Sequence, residues 1–356
     1  MEKPKAAIVT ITNSIDNYGN VFQNYAAQEF LSRLGFETKT IRNYSFVKRR
    51  IGGIYLIPKV LLDRKDGSRS IRFALFKLRR IRYWPEIVTE SNRSLPKLQK
   101  KYDYFFCGSD QIWNPTNHFN RNWPFTLLKF AEPRQRIAFS ASFGVPALND
   151  SEKLIFKDAL NGFAGISVRE KSGCSIVKEL TGKEPTLLLD PAMLLPRREW
   201  IKIEKPVKRL LGKKILCVYV LGERTETIRR YIDSVVKTEA CIVVDVLDKN
   251  GKYYYPAPEE FLWIIHHSEH IITDSFHCTL FSILYHKGFK VFRRQGKEYN
   301  TFDRIETLLV KFGLKDNIYE GYQEYSQQEV SYNTSDILKV ERKKASDFIR
   351  KSTLSK

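Results

Sequence analysis

No stretch of the 356-residue sequence approaches the roughly 18 consecutive apolar residues that a membrane-spanning helix needs. The opening MEKPKAAIVTIT also lacks the long apolar core and small-residue cleavage site of a secretory signal, so a cytoplasmic location is expected. Cysteine is scarce: there are five, an odd number, far apart and without a CxxC pair. This excludes a disulfide framework and a zinc site of the common spacing. Cys107, Cys174, Cys217, Cys241 and Cys278 are therefore expected to be small buried apolar groups. Low-complexity tracts and internal repeats are missing, as are the helix-turn-helix, zinc-finger and RNP-type motifs by which nucleic-acid binders are read. Acidic residues are in short supply, with 40 Asp and Glu facing 60 Lys and Arg, a formal charge of +20.

What is present is a globular composition, 42% hydrophobic and 13% aromatic, which excludes a disordered chain. At this length two domains are expected. The positive charge calls for an anionic partner, whether nucleic acid, a membrane face or a phosphorylated substrate. Its distribution is uneven: between Val47 and Arg82 twelve Lys and Arg face only Asp63 and Asp66, interleaved with residues such as Ile54, Leu61, Phe73 and Leu78. Basic residues flanking apolar faces suit an anionic bilayer, and equally a solvated insertion packed on its own domain.

Along the chain, AAIVTIT reads as a buried strand, and the loop NSIDNYGN leads into a helix carrying Phe22, Ala26, Phe30 and Leu34 that stops at Gly35. YDYFFCG, RIAFSAS and GISVRE read as further strands, KSGCSIVKELTG as a helix and TLLLDPAMLLP as a last strand before a connection bracketed by Pro191 and Pro196. The alternation resumes with KKILCVYVLG, a helix over about Glu223 to Lys237, ACIVVDVL, PEEFLWIIHHS, HIIT, a helix after DSFH, and KVF. Strands alternating with helices imply parallel sheets. The fold class expected is α/β, two Rossmann-like domains facing across a cleft, GT-B-like: residues 1–190 with the basic insertion 47–82, a linker at 191–200, and residues 201–356. In such sheets ligands bind beyond the C-terminal strand ends.

Four polar clusters fall in such loops. In IDNYGNVFQ, Asn17, Tyr18, Gly19, Asn20 and Gln23 surround a helix start that favours a phosphate or sugar hydroxyl, unless Asn17 or Asn20 merely caps the helix. In CGSDQIWNP, Asp110 suits a general base and Trp113 a platform for a sugar ring, with Gln111 and Asn114 beside them; a turn around a packed tryptophan explains the same letters. Arg169, after the SVRE strand, is placed to grip a phosphate or carboxylate by two hydrogen bonds, or to pair with Glu170 or another acid. His277 follows Asp274 and Ser275, two possible caps, in the first turn of a helix. The helix dipole disfavours its cation unless an anion is bound, while a neutral hydrogen-bonded imidazole fits the same place. Arg304, Arg293 and Arg294 lie downstream, and His266, His267 and His270 read as structural rather than as metal ligands.

Taken in order, DNYGNVFQNYAAQEFLSRLGFET, FFCGSDQIWNP, SVREKSG, LLDPAMLL, ITDSFHCTLFSILYHKGFKVF and RIETLLVKFGL resemble the polysaccharide pyruvyl transferase family over nearly the whole chain. The resemblance implies transfer of a pyruvyl group from phosphoenolpyruvate to two sugar hydroxyls, forming a cyclic ketal and releasing phosphate. It implies donor contacts from Arg169 and from His277, with Ser275 standing where the family motif has arginine; Arg304 or Arg293 would supply the missing charge. Asp110 or Asp16 would take the acceptor's protons. No cofactor or metal is implied, and the acceptor would be a polyprenyl-diphosphate-linked sugar reached at the membrane face, with 47–82 as the docking segment. The rival readings are a GT-B glycosyltransferase using a nucleotide sugar, for which Glu298 and Glu306 are the nearest candidates, and a non-catalytic member of a polysaccharide assembly complex.

Overall fold

The computed structural model of the chain describes residues 2–12, 16–43, 64–88, 95–116, 122–294, 302–321, 325, 332 and 334–354. Residues 47–63 of the basic segment, and Glu298, lie outside them. The apolar run near the start forms β1 (Lys5–Val9), followed by α1 (Tyr18–Arg33) and β2 (Glu37–Asn43). Then come α2 (Arg64–Arg80), β3 (Tyr83–Val88), β4 (Tyr104–Cys107), β5 (Arg136–Ala141), α3 (Asp150–Asn161), β6 (Gly165–Val168), α4 (Lys171–Thr181) and a two-residue β7 (Thr186–Leu187), besides shorter helical segments. All seven strands pair in parallel, in the order β3-β2-β1-β4-β5-β6-β7. A parallel sheet is covered on both faces, which is why β1, β4 and β5 read as continuous apolar runs. Strand order reverses between β1 and β4, the switch point beyond which such sheets bind ligands.

β2 escapes the hydrophobic pattern because two of its three buried residues are threonines, the third being Ile41. Thr38 and Thr40 are buried, and α1 satisfies them: Gln28 Nε2 donates to Thr40 Oγ1 (2.5 Å), Thr40 Oγ1 to Asn24 Oδ1 (2.6 Å), and Thr38 Oγ1 to the Gln28 carbonyl (3.4 Å). A polar seam thus fastens α1 to the sheet.

A second parallel sheet, in the order β11-β10-β8-β9, is built from β8 (Ile215–Tyr219), α5 (Glu226–Glu239), β9 (Ile242–Asp245), α6 (Pro258–His267), β10 (His270–Thr273), α7 (Phe276–Leu284), β11 (Gly288–Val291) and α8 (Asp303–Lys311). Its switch point falls between β8 and β10. All nine residues of α7 are buried, as its nearly unbroken apolar sequence requires. Of the five cysteines, Cys107, Cys217, Cys241 and Cys278 are buried as expected, while Cys174 is only partly so.

The final helix, α9 (Ser335–Leu354), bonds to residues of the N-terminal half. Arg342 Nε donates to the Leu194 carbonyl (2.9 Å), Lys344 Nζ to the Leu187 carbonyl (2.9 Å) and Tyr104 Oη to the Thr353 carbonyl (2.6 Å). Described residues from Leu338 onward therefore group with those up to Ser70 and from Lys77 to Leu195, whereas Ile71–Phe76 group with Pro196–Ile337. The chain passes from the first group to the second at Leu195 and Pro196.

His270, read as structural, lies at the start of β10 against Tyr231 and Tyr325, with Nε2 buried and lacking a hydrogen-bond partner among the described residues. Burial, followed by the nearby Lys290 charge, lowers its pKa to about 3. The unfolded chain titrates near 6.5, so it takes up this proton first, and stability falls as pH drops from about 6.5 toward 3. Urea denaturation across this range should show the wild type losing up to about 1.4 kcal/mol per pH unit more than His270→Phe. Parallel pH profiles would remove His270 from the acid response.

Candidate active site

At the C-terminal end of the larger sheet, the loops after β1, β4, β5, β6 and β7 carry one polar network. Gln23 in α1 is fully buried and ties β1 to β4: its Nε2 donates to Thr10 Oγ1 (2.9 Å) and its Oε1 accepts from Ser109 N (3.1 Å). Ser109 Oγ donates to Asp190 Oδ2 (2.7 Å). Arg169 donates through Nη1 to the same oxygen (2.6 Å) and through Nη2 to Asp110 Oδ1 (3.0 Å), with its Nε 3.9 Å from Glu170 Oε2. The guanidinium is sealed from solvent. Burial alone would lower the Arg169 pKa, but the charges of Asp110, Asp190 and Glu170 together raise it. Asp190 Oδ1 accepts from Ala192 N (2.9 Å), and Glu170 Oε1 from the amides of Phe143 (2.8 Å) and Gly144 (3.3 Å).

The ion-pair alternative for Arg169 is thus the one realised, with Asp190 and Asp110 as its close acids rather than Glu170. One cation among three carboxylates offers no surplus positive charge, so a phosphate would have to displace Asp110 to reach it. Asp110 sits at φ 58, a left-handed turn in which its carbonyl accepts from Ile112 N (2.8 Å) and Ser142 N (3.1 Å). This turn holds the carboxylate at the strand end.

Several sequence-predicted contacts are corrected. Trp113 is a fully buried core residue rather than a sugar platform: it packs on Phe143, Phe156 and Phe163, and its indole N–H donates to the Thr126 carbonyl (3.3 Å). Asn114 is also buried, its Oδ1 accepting from the amide (2.9 Å) and hydroxyl (2.8 Å) of Thr116. Asn17 caps α1, accepting from Asn20 N (3.1 Å). Tyr18 and Gly19 are buried in the helix, with Tyr18 stacked on Phe22. Gln111 remains beside Gly144, where a Cβ would meet its amide nitrogen at 2.5 Å.

Asp16 has partners from α2, more than fifty residues away. Ser70 Oγ donates to its Oδ2 (3.0 Å), Arg69 Nε lies 3.3 Å from that oxygen, and Arg69 Nη2 donates to its carbonyl (2.8 Å). Desolvation lowers the pKa of Lys77 on the same helix, an effect that the Asp16 charge opposes.

On the smaller sheet, Ser275 caps α7, its Oγ accepting from Cys278 N at 3.5 Å, and His277 is buried in the first turn with its ring perpendicular to Phe276. Arg304 lies over the same Phe276 ring, 5.5 Å from its centre. Arg293 covers Phe302 at 4.2 Å and lies 3.6 Å from Glu320. Asp274, one of the caps considered for α7, instead crosses the switch point: it accepts from the amides of Leu221 (2.7 Å) and Gly222 (2.8 Å) and from Arg294 Nε (2.9 Å). A Cβ at Gly222 would lie 2.8 Å from Arg294 Cγ, so a larger residue there would push the arginine aside.

The family model for polysaccharide pyruvyl transferases matches residues 17–294. The chain belongs to this family. A search among curated proteins returns no match. Among solved structures, the UDP-GlcNAc 2-epimerase of Neisseria meningitidis bound to UDP-GlcNAc is similar, with 11% identity over 99% of this chain and 100% of that one and a TM-score of 0.52. Anabaena HepE in complex with UDP and glucose shows 8% identity, the same coverage and a TM-score of 0.51. At such identity the likeness shows the fold, which for this pyruvyl transferase family member is GT-B-like.

The network residues Thr10, Ser109, Asp190, Arg69 and Ser70 carry no prediction from sequence. Asp190 sits in LLDPAMLL, which reads as a strand running into a linker; Arg69 and Ser70 sit in a segment that reads as surface.

Glu204, His266 and His267 bring donor atoms within 4.8 Å of one another, the spacing of a cation site. The protein uses them itself: His266 Nδ1 meets Glu204 Oε2 (3.0 Å), its Nε2 meets Arg197 Nη2 (2.9 Å), and His267 Nδ1 faces the Trp263 carbonyl (2.9 Å). A guanidinium on one imidazole nitrogen opposes a metal there.

Removing Asp190 leaves the sealed Arg169 charge short of its closest partner. Asp190→Ala should lower the unfolding free energy by about 3–5 kcal/mol, read from urea denaturation. A loss below 1 kcal/mol would show that this pair does not hold the strand ends together.

Proposed function

We propose that this protein moves the pyruvyl group of phosphoenolpyruvate onto two hydroxyls of a sugar in capsule or exopolysaccharide repeat-unit biosynthesis, releasing phosphate. The observation that carries this reading is the family match over residues 17–294, which takes in Asp110, Arg169 and His277. The donor is assigned to the C-terminal unit and the acceptor to the N-terminal one. This assignment is supported by charge: Arg304 shares the Phe276 ring with His277, whereas Arg169 is already matched by carboxylates.

The chemistry follows from the enol phosphate. A proton delivered to the methylene carbon makes C2 electrophilic; His277 is assigned as its donor and as a partner for the phosphate. The first sugar hydroxyl adds to C2 and gives its proton to Asp110, which Arg169 positions. The C2–O bond to phosphate then breaks, and the second hydroxyl adds to close the ketal. Of the two hydroxyl protons, one is balanced by the new methyl C–H and the other leaves with phosphate. Arg304 supplies the charge that Ser275 lacks, and Arg293 is the neighbouring candidate.

Membrane docking by the segment 47–82 belongs to the same proposal. Arg82 is engaged by Glu29 (2.9 Å), Ser32 (3.0 Å) and Thr38 (3.0 Å) and is not a lipid contact. Ile71, Leu75 and Leu78 recur along one face of α2 and are 44%, 40% and 80% exposed, with Arg79 exposed beside them. An apolar stripe edged by arginine fits an anionic bilayer.

His277→Ala should reduce phosphate release from phosphoenolpyruvate in the presence of galactosides, glucosides or mannosides by about 10²–10⁴-fold, at unchanged melting temperature. Turnover near wild type would remove histidine from the mechanism, and turnover of a UDP-sugar instead would favour the glycosyltransferase reading. Separately, the pair Leu78→Asp and Arg79→Glu should weaken co-sedimentation with vesicles of phosphatidylglycerol and phosphatidylcholine by about tenfold. Unchanged binding would end the docking proposal.

A further inference from the structure

At the start of α1 two buried polar atoms have no hydrogen-bond partner among the described residues: Asp16 Oδ1 and Asn20 Nδ2. The Asp16 side chain is 8% exposed and Asn20 is 4% exposed. Such atoms are rare in folded proteins because each forgoes its bonds to water, and they call for a ligand or an ordered solvent molecule. Their neighbours are already committed. Asn17 caps the helix, Gln23 spans β1 and β4, and the second Asp16 oxygen is occupied by Ser70 and Arg69.

The two open atoms are chemically complementary. An ionised carboxylate oxygen only accepts; an amide nitrogen only donates. A hydroxyl does both, so the hydroxyls of a polyol suit the two atoms together. A phosphate would meet the carboxylate as a like charge, and an ammonium group would leave the amide unanswered. The loop follows β1, at the switch point of the larger sheet, where ligands of such folds bind.

We propose that Asp16 and Asn20 form a hydroxyl-binding subsite for a sugar, and that Ser70 and Arg69 of α2 are positioning residues that hold one carboxylate oxygen so that the other faces the ligand. The basic segment then has an inner face that belongs to the site. The identity of the ligand as acceptor rests on the pyruvyl-transfer reading; the subsite itself does not.

The test is calorimetry with methyl galactoside, methyl glucoside and methyl mannoside, without phosphoenolpyruvate. At least one should bind the wild type, and Asp16→Ala and Asn20→Ala should each weaken it about tenfold. Ser70→Ala should weaken it several-fold and Ser70→Thr should restore it. Because Asn20 Nδ2 makes no internal bond, Asn20→Ala should keep or raise the melting temperature while binding falls, which a merely structural role would not produce. No binding of any of the three glycosides, or equal affinity in the Asp16 and Asn20 variants, overturns the subsite. Binding without phosphate release on adding phosphoenolpyruvate overturns pyruvyl transfer and leaves the subsite standing. Phosphate release with the glycoside KM unchanged in Asn20→Ala does the reverse.

Discussion

A guanidinium closed off from water between two carboxylates organises the end of the seven-stranded sheet. Arg169 leaves β6, Asp110 follows β4 and Asp190 follows β7, so one charge gathers loops from three strands, and Ser109 and Gln23 extend the chain of bonds to β1 and α1. Desolvating an arginine is costly, and several carboxylates are needed to offset it. That requirement fixes where Asp110 points. An acid positioned by a buried cation is held in place without a long, mobile side chain of its own.

The smaller sheet solves the same problem with the opposite charge at its centre. Asp274 collects two backbone amides and Arg294 across its switch point, and the DSFH turn that begins α7 is built on it. His277 follows three residues later in a helix with no exposed face, so its imidazole stands on a rigid support. Ser275 serves here as the helix cap.

How much of this was legible depends on whether burial used apolar or polar side chains. β1, β4, β5, β8, β10 and α7 announce themselves because both sheet faces are covered and their residues are apolar. β2 does not, since Thr38 and Thr40 are inward residues paired by α1. Trp113 misleads for the converse reason: polar neighbours suggest a ligand platform, but the indole belongs to an aromatic cluster with Phe143, Phe156 and Phe163. The motif residues Asp110, Arg169 and His277 were found by their positions after strands, while their partners were not. Asp190 is 21 residues from Arg169 and Ser70 is 54 from Asp16, separations over which no local pattern carries information.

The placement of α9 bears on how the chain is made. The helix that covers part of the N-terminal unit is drawn from the far end of the sequence, where Arg342, Lys344 and Thr353 meet Leu194, Leu187 and Tyr104. During translation the first unit therefore leaves the ribosome with that flank uncovered, and it stays uncovered while the whole second unit is synthesised.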